Sequence, residues 1–393
     1  MDEALARWLV GAEGAAALAL AAAQADPSSL AAASALRRVV DADQAAAILQ
    51  QETLRRRAGR KFDDSARTLF FTADGLEQAT RAGVAAWRAA LYLAAGATRV
   101  VDLGCGIGAD ALAFVEAGLD VVAVEADPVT AVFAAANLGD RGTVLTGDAV
   151  ELASRLLGPG EAVFLDPARR TGRGRTWRVA DVSPPWDFAT GLLAGRVGCV
   201  KAAPGVQSAD LPSHAAAAWV SDGGDLVETS LWSGVPGWDP GSRRALLLPG
   251  GHELMVTEPA RALDAGMPGA YLYEPDPAVI RAGGVALVAE AVAGRVLAPG
   301  IAYVTSDTLV ETPFATRFAV EDVLPFDERT LRRWVSAAGV GALEIKVRGI
   351  DVDPAVLRKR LKPTGTASAT LVLSPTPRGA RAIVARRVAP GLS

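Results

Sequence analysis

Short apolar runs that end on an acid recur through the middle of the chain. Val100-Val101-Asp102-Leu103, Val121-Val122-Ala123-Val124-Glu125, Val144-Leu145-Thr146-Gly147-Asp148 and Ala162-Val163-Phe164-Leu165-Asp166 predict buried strands. Ala109 to Gly118 is helix-compatible, and strands and helices alternate to Lys201, which predicts βαβ units and a mainly parallel, doubly wound α/β sheet. Before this block, residues 1 to about 60 are Ala-rich with Leu and Val at helical spacing, broken at Asp26-Pro27-Ser28-Ser29. Phe70 to Thr80 then precedes a helix running to Leu93. After the block, Asp225 to Leu231 and Arg244 to Leu248 predict the last strands, and His252 falls in a Pro-Gly-Gly turn.

The C-terminal pattern is α+β. Strands are expected at Phe318 to Val323 and Gly341 to Val347, helices at Phe326 to Ala338 and Asp353 to Leu361. Ala369 to Ser374 and Ala382 to Val388 are expected to form an edge pair. The domains expected are a helical module at 1–68, a cofactor-binding domain at 69–260, a small linking module at 261–310 and a basic α+β domain at 311–393.

The strand ends carry the chemistry. Gly104-Cys105-Gly106-Ile107-Gly108 follows the first strand, where a Cβ would keep the backbone from a ligand and disfavour positive φ, and it opens onto a helix N-terminus. Gly104, Gly106 and Ala109 also satisfy the dinucleotide pattern, so the glycines alone leave two cofactor classes open. Their surroundings favour one. Asp102 would repel a pyrophosphate but suits a ligand carrying an ammonium and a sulfonium. Asp102, Glu125, Asp148 and Asp166 at successive strand ends line one crevice, because ligands sit outside the carboxyl ends of such strands.

On these residues, Phe71 to Lys201 resembles the class I S-adenosylmethionine-dependent methyltransferases, whose fold is Rossmann-like. The resemblance implies that Asp102, Gly104, Cys105, Gly106 and Gly108 face the methionine and ribose parts of S-adenosylmethionine. It implies further that Glu125, with Ala126 beside it, holds the ribose hydroxyls, and that Asp148, with Ala149, reads the adenine amino group. The segment before the first strand commonly folds over the cofactor in this family. Gln78 and Thr80 could then donate to its carboxylate, whereas ionised Glu77 could not. Val121 to Asn137 is similar to the corresponding part of trimethylguanosine synthases and related RNA methyltransferases.

Asp166, Pro167 and Arg169 are the candidate catalytic residues. Enzymes that methylate exocyclic base nitrogens carry Asp/Asn-Pro-Pro and an aromatic, and here Ala168 and Arg169 replace the last two. Stacking would fall to Trp177, Trp186 or an Arg plane. Asp166-Pro167-Ala168-Arg169 also resembles the motif of RNA 5-methyluridine methyltransferases, with Cys199 downstream. Cys199 lies in an expected buried strand and lacks that family's following Asn-Pro, which favours a structural thiol. Arg169, Arg170, Arg173, Arg175 and Arg178 make a basic loop suited to an anionic substrate.

Charge sharpens the picture. The chain of 393 residues has a net charge of −4, yet Arg329 to the end holds thirteen Lys/Arg against three Asp/Glu. That asymmetry points to an anionic partner for the C-terminal part. This part resembles the THUMP-like domain appended to bacterial class I methyltransferases, through Lys346-Val347-Arg348-Gly349, Pro354, Leu357-Arg358-Lys359-Arg360-Leu361 and Gly365. The resemblance implies structured RNA, tRNA or rRNA, as partner. Arg358, Lys359, Arg360 and Lys362 beside Lys346 and Arg348 could neutralise phosphates. Arg55-Arg56-Arg57 with Arg60 and Lys61 reads as a solvated helix end or a phosphate site. Two cysteines and two histidines argue against a disulfide framework or a zinc cluster, so no metal is expected. The Gly14 to Ala25 stretch reads as a packed helix, not a membrane span or signal peptide, and a cytoplasmic location is the expectation. The function expected is methylation of an RNA base. A non-catalytic RNA-binding protein that retains the cofactor, or a small-molecule or protein methyltransferase, are the alternatives.

Overall fold

The computed structural model describes residues 1–24, 26–27, 29–169, 179–257 and 262–389, and of Arg169 the backbone alone. The chain divides into two compact units, Met1–Ala217 with Glu228–Gly241, and Ala218–Val227 with Ser242–Ser393.

The first unit opens with helices α1 (Glu3–Val10), α2 (Ala12–Ala22), α3 (Leu30–Leu36) and α4 (Ala42–Phe62). Side-chain caps start three of them: Asp2 accepts from Leu5 N, Ser29 from Ala32 N, and Asp41 and Gln44 form a capping box. Leu9, Leu18, Leu36 and Ile48 make their common core together with Val132 and Phe133 from further along the chain. Among the described residues no single helix is long and apolar enough to cross a membrane.

Helices α5 (Ala73–Gln78) and α6 (Ala82–Ala94) lead into β1 (Arg99–Leu103), α7 (Ala109–Glu116), β2 (Asp120–Glu125), α8 (Pro128–Leu138), β3 (Thr143–Thr146), α9 (Ala149–Leu156) and β4 (Ala162–Leu165). The short strands β5 (Ala168–Arg169) and β6 (Val182–Ser183), helix α10 (Trp186–Gly191) and β7 (Gly198–Ala202) follow. Next come β8 (Ala216–Asp222) and β9 (Asp225–Ser233). Strands β3, β2, β1, β4 and β7 lie side by side in parallel, and β9 pairs antiparallel to β7. The order reverses between β1 and β4, which sets the ligand crevice at their carboxyl ends. The Rossmann-like class I fold expected from the sequence is the fold observed. Strand β8 was not anticipated: its Ala-Ala-Ala start has the highest helix propensity, and sheet packing overrides it.

In the second unit, β10 (Arg243–Leu248) and β11 (His252–Val256) form an antiparallel pair. His252 therefore begins a strand, and the turn expected around it ends one residue earlier, at Gly251 with positive φ. The remaining elements are β12 (Tyr271–Pro275), α11 (Pro277–Ala282), α12 (Val285–Ala291), β13 (Arg295–Val296), β14 (Val304–Ser306), β15 (Ala315–Pro325), α13 (Glu328–Ala337), β16 (Val340–Val347), α14 (Pro354–Leu361), β17 (Ala367–Ser374) and β18 (Arg381–Arg387). A seven-stranded sheet runs β13-β14-β12-β15-β18-β17-β16, so the strands of residues 271–306 pair into the C-terminal sheet. The pair expected at its edge, β17 and β18, is interior. Its alternating residues explain why: Leu371, Leu373 and Val384 pack under α13 and α14, while Val372 and Ile383 face Phe318 and Tyr303, so both faces are covered.

Candidate active site

The glycine loop is shaped by its backbone. Gly104, Gly106 and Gly108 have φ of +96°, +56° and +83°, values that L side chains rarely adopt. Gly104 N and Cys105 N both donate to Val124 O (2.8 and 2.9 Å), which fastens the loop to β2. Gly106 N donates to Glu125 Oε2 (2.9 Å) and Asp127 N to Glu125 Oε1 (2.9 Å). Each oxygen of this half-buried carboxylate keeps acceptor capacity for a ligand hydroxyl.

Asp102 is completely buried, and among the described residues neither of its oxygens meets a hydrogen-bond partner. Burial, then repulsion from Asp110, Asp166 and Glu125, pushes its carboxyl well above the usual range. An uncompensated buried acid beside a glycine cradle has the chemistry to take a cationic group. These residues fit S-adenosylmethionine, with its ammonium and sulfonium.

Asp110, in the first turn of α7, is nearly as buried but fully engaged. Arg88 Nε donates to Oδ1 (2.9 Å) and Thr80 Oγ1 to Oδ2 (2.6 Å). Burial alone would raise Asp110, but Arg88, Lys201 and the Thr80 hydroxyl outweigh it and hold the carboxyl below its usual value. Arg88 is fully buried on α6 and also donates from Nη2 to both oxygens of Glu228 on β9 (2.9 and 3.0 Å) and from Nη1 to Ser230 Oγ (3.1 Å).

The register β1–β4 pairs Leu103 with Leu165, and β4–β7 pairs Leu165 with Val200. Asp166 therefore follows directly beside Gly104 on one side and Lys201 on the other. Lys201 Nζ donates to Asp166 Oδ2 (2.6 Å) and to Thr80 Oγ1 (3.2 Å). Although burial alone would lower it, Asp166, Glu228 and Asp110 hold the lysine above its usual value, charged. Burial raises Asp166 somewhat while Lys201 pulls it down. The pair thus presents a carboxylate, 35 % exposed, whose second oxygen is available to a substrate N–H.

The other expected residues fall as follows. Asp148 is exposed and caps α9, accepting from Val150 N and Glu151 N through Oδ1 (2.7 and 3.1 Å), with Ala149 the first residue of that helix. Ala126 is exposed just after Glu125. Gln78 is exposed at the end of α5. Thr80 is buried and its proton goes to Asp110, which leaves none for a cofactor carboxylate. Cys105 is half-buried in the loop, its thiol held well above the usual range by burial. Cys199 is fully buried on β7 and pushed up to about 12 by burial, which suits a structural thiol and not a nucleophile. Trp186 is buried with Nε1 donating to Asp210 O (3.0 Å), so it is not a stacking partner for a base. Pro167 is half-buried, and Arg169 lies in β5. The Arg169 side chain and Arg170, Arg173, Arg175, Trp177 and Arg178 lie outside the described residues.

Sequence reasoning missed Arg88, Asp110 and Glu228. One signal was present: Arg88 occupies the apolar stripe of α6 between Val84, Ala85, Ala89 and Tyr92.

The fold and the strand-end acids define a class I cofactor site. Residues 315–387 match the THUMP domain-like family, and residues 2–58 match a domain family of unknown function. An uncharacterized S-adenosylmethionine-dependent methyltransferase of Mycobacterium tuberculosis, found in two strains, is 33% identical over 346 residues, covering 84% of this chain and 93% of the relative. The chain belongs to the S-adenosylmethionine-dependent methyltransferases. Its fold is similar to a crystal structure from Porphyromonas gingivalis W83, described as a candidate methyltransferase, with a TM-score of 0.76, 23% identity and 98% of both chains covered.

Proposed function

We propose that this methyltransferase acts on a base in structured RNA, tRNA or rRNA, in the cytoplasm, with the THUMP-like region docking the RNA. The carrying observation is the basic outer surface of α13 and α14. Arg329, Arg332 and Arg333 lie exposed along α13, and Lys359 and Lys362 are exposed on and just after α14, which packs beside it. These five, with Arg360 (within 3.7 Å of Glu328), are the phosphate contacts in this reading. Lys346 and Arg348 drop out of it, because Lys346 pairs with Glu274 and Glu344 (2.8 and 3.5 Å) and Arg348 with Glu274 (3.6 Å). Arg358 gives one N–H, from Nε, to Leu343 O (2.7 Å) and keeps its charge on the exposed side of α14.

In the catalytic unit, Asp102 and the loop from Gly104 to Gly108, Cys105 included, would hold the methionine and ribose parts of the cofactor. Glu125 beside Ala126 takes the ribose hydroxyls, Asp148 and Ala149 flank the adenine, and Gln78 reaches the carboxylate. When bound, S-adenosylmethionine supplies an activated methyl group, so the protein's task is alignment and proton handling. Asp166, fixed by Lys201 and followed by Pro167 and Arg169 in the same motif, accepts a hydrogen bond from the target N–H. That contact turns the nitrogen lone pair toward the donor.

Incubation with tritiated S-adenosylmethionine and deproteinised RNA tests the reading. Label that enters RNA and is lost on ribonuclease digestion is the result expected. Label found only in protein or small molecules would overturn it.

A further inference from the structure

The N-terminal helices have no part in the chemistry above, yet α4 makes an unusual contact. Its side chains bind the backbone of residues 68–79. Gln51, buried, donates from Nε2 to Phe71 O (2.6 Å) and accepts from Phe71 N through Oε1 (3.0 Å). One turn on, Arg55 donates to Leu69 O (2.9 Å) and Thr68 O (3.3 Å), and its guanidinium lies over the Phe70 ring, 5.0 Å from the centroid. At the helix end, Lys61 Nζ donates to Leu76 O, Glu77 O and Ala79 O (2.8, 2.6 and 3.0 Å). An ammonium has three hydrogens, and all three are used. The basic run at 55–61 is thus not wholly solvated: Arg55 and Lys61 hold this backbone, while Arg57 and Arg60 are exposed. Lys61 satisfies the orphan carbonyls at the end of α5 and opposes that helix's negative pole.

The other side of the same segment meets the glycine loop. Gly75 lies so close to Ile107 that a Cβ there would stand 2.5 Å from Ile107 Cγ2. Asn137 on α8 joins the two: its Oδ1 accepts from Phe70 N (2.8 Å), and its Nδ2 donates to Phe70 O (3.0 Å) and Ile107 O (2.9 Å). Thr80 continues the link to Asp110. A shift of residues 72–80 is therefore a shift of the wall against which Ile107, between Gly106 and Gly108, is set.

We propose that the N-terminal helical domain holds the cofactor-side segment in place, with Lys61 as a positioning residue for S-adenosylmethionine binding. Gln51 and Arg55 anchor the upstream end. The inference rests on S-adenosylmethionine dependence and not on the RNA reading.

The full-length protein tests it through Lys61→Met, Lys61→Arg and Arg57→Met. The last removes a like charge from the same helix at an exposed position. Calorimetry with S-adenosylmethionine, hydrogen exchange and thermal melting are the readouts. Lys61→Met should weaken binding at least about tenfold, roughly one charge-assisted hydrogen bond, with faster exchange confined to residues 72–80. Lys61→Arg should restore most of the affinity and Arg57→Met should change none of the three readouts. Unchanged affinity in Lys61→Met would overturn the proposal. So would protection lost throughout the first unit, which marks a purely structural lysine, or an equal loss in Arg57→Met, which marks a general charge effect.

Discussion

Asp102 and Asp110 flank the glycine loop, one at its strand end and one at its helix end. Both are buried carboxylates, yet the fold treats them in opposite ways. Asp110 has Arg88 and Thr80 on its oxygens and Lys201 nearby, and its acidity is enhanced. Asp102 has no partner on either oxygen among the described residues, and its acidity is suppressed. Chemistry that is identical in the sequence is engaged as scaffold at one position and left open at the other. The decisive quantity is the company of each acid and not its burial, because a buried charge is costly only until something pairs with it.

The scaffold side can be broken most severely. Arg88→Met strands two buried carboxylates and should cost about 3–5 kcal/mol in urea unfolding. Adding Asp110→Asn and Glu228→Gln should recover much of it, and a loss below about 1 kcal/mol for the single change would show that the network is not what holds α6 to the sheet. On the binding side, Asp102→Asn should weaken S-adenosylmethionine binding by about 10- to 100-fold in calorimetry while leaving the cofactor-free protein no less stable. A stability loss without a binding loss would reverse the assignment of the two acids.

pH separates them by sign. The folded pKa of Asp102 is raised above its ordinary 3.8, so its contribution is fully present below that value and fades as pH rises through the raised pKa. Asp110 is lowered, so its contribution is present above 3.8 and is lost as pH falls through its folded value. Melting curves across pH should show Asp102→Asn removing a decline on the alkaline side and Asp110→Asn removing a loss on the acid side. Parallel profiles for the two variants would contradict the pairing seen here. The smallest effect is expected at Lys201→Gln, about 1–2 kcal/mol, together with an acid limb of activity shifted to higher pH as Asp166 loses its ammonium partner. An unmoved limb would remove Asp166 from the transfer step.

How much of this was readable beforehand follows the range of the interactions involved. Apolar runs ending in acids expose β1 to β4 and the glycine loop because their pattern is local. The C-terminal helices show equally well, as Leu331 and Val335 or Leu357 and Leu361 repeat at helical spacing. What stayed hidden depends on register. Lys201 reaches Asp166 only because β7 pairs with β4, and Glu228 reaches Arg88 only because β9 returns antiparallel beside β7. Similarly, Lys346 and Arg348 read as free cations until the second unit's sheet brings Glu274 to them. Thr80 failed as a cofactor donor for the same reason: its proton has a destination 30 residues away.

The Arg88–Glu228 contact spans 140 residues of sequence. At synthesis rates of about 5–20 residues per second, the arginine waits roughly 7 to 28 s on the ribosome before its second counter-ion has been made. Asp110 is available far sooner, so α6 and α7 can join while the rest of the sheet is still unwritten. This buried charge cluster is therefore begun early, between α6 and α7, and completed late. A nascent chain halted before β9 would carry the glycine loop without the buried charge balance that fixes it.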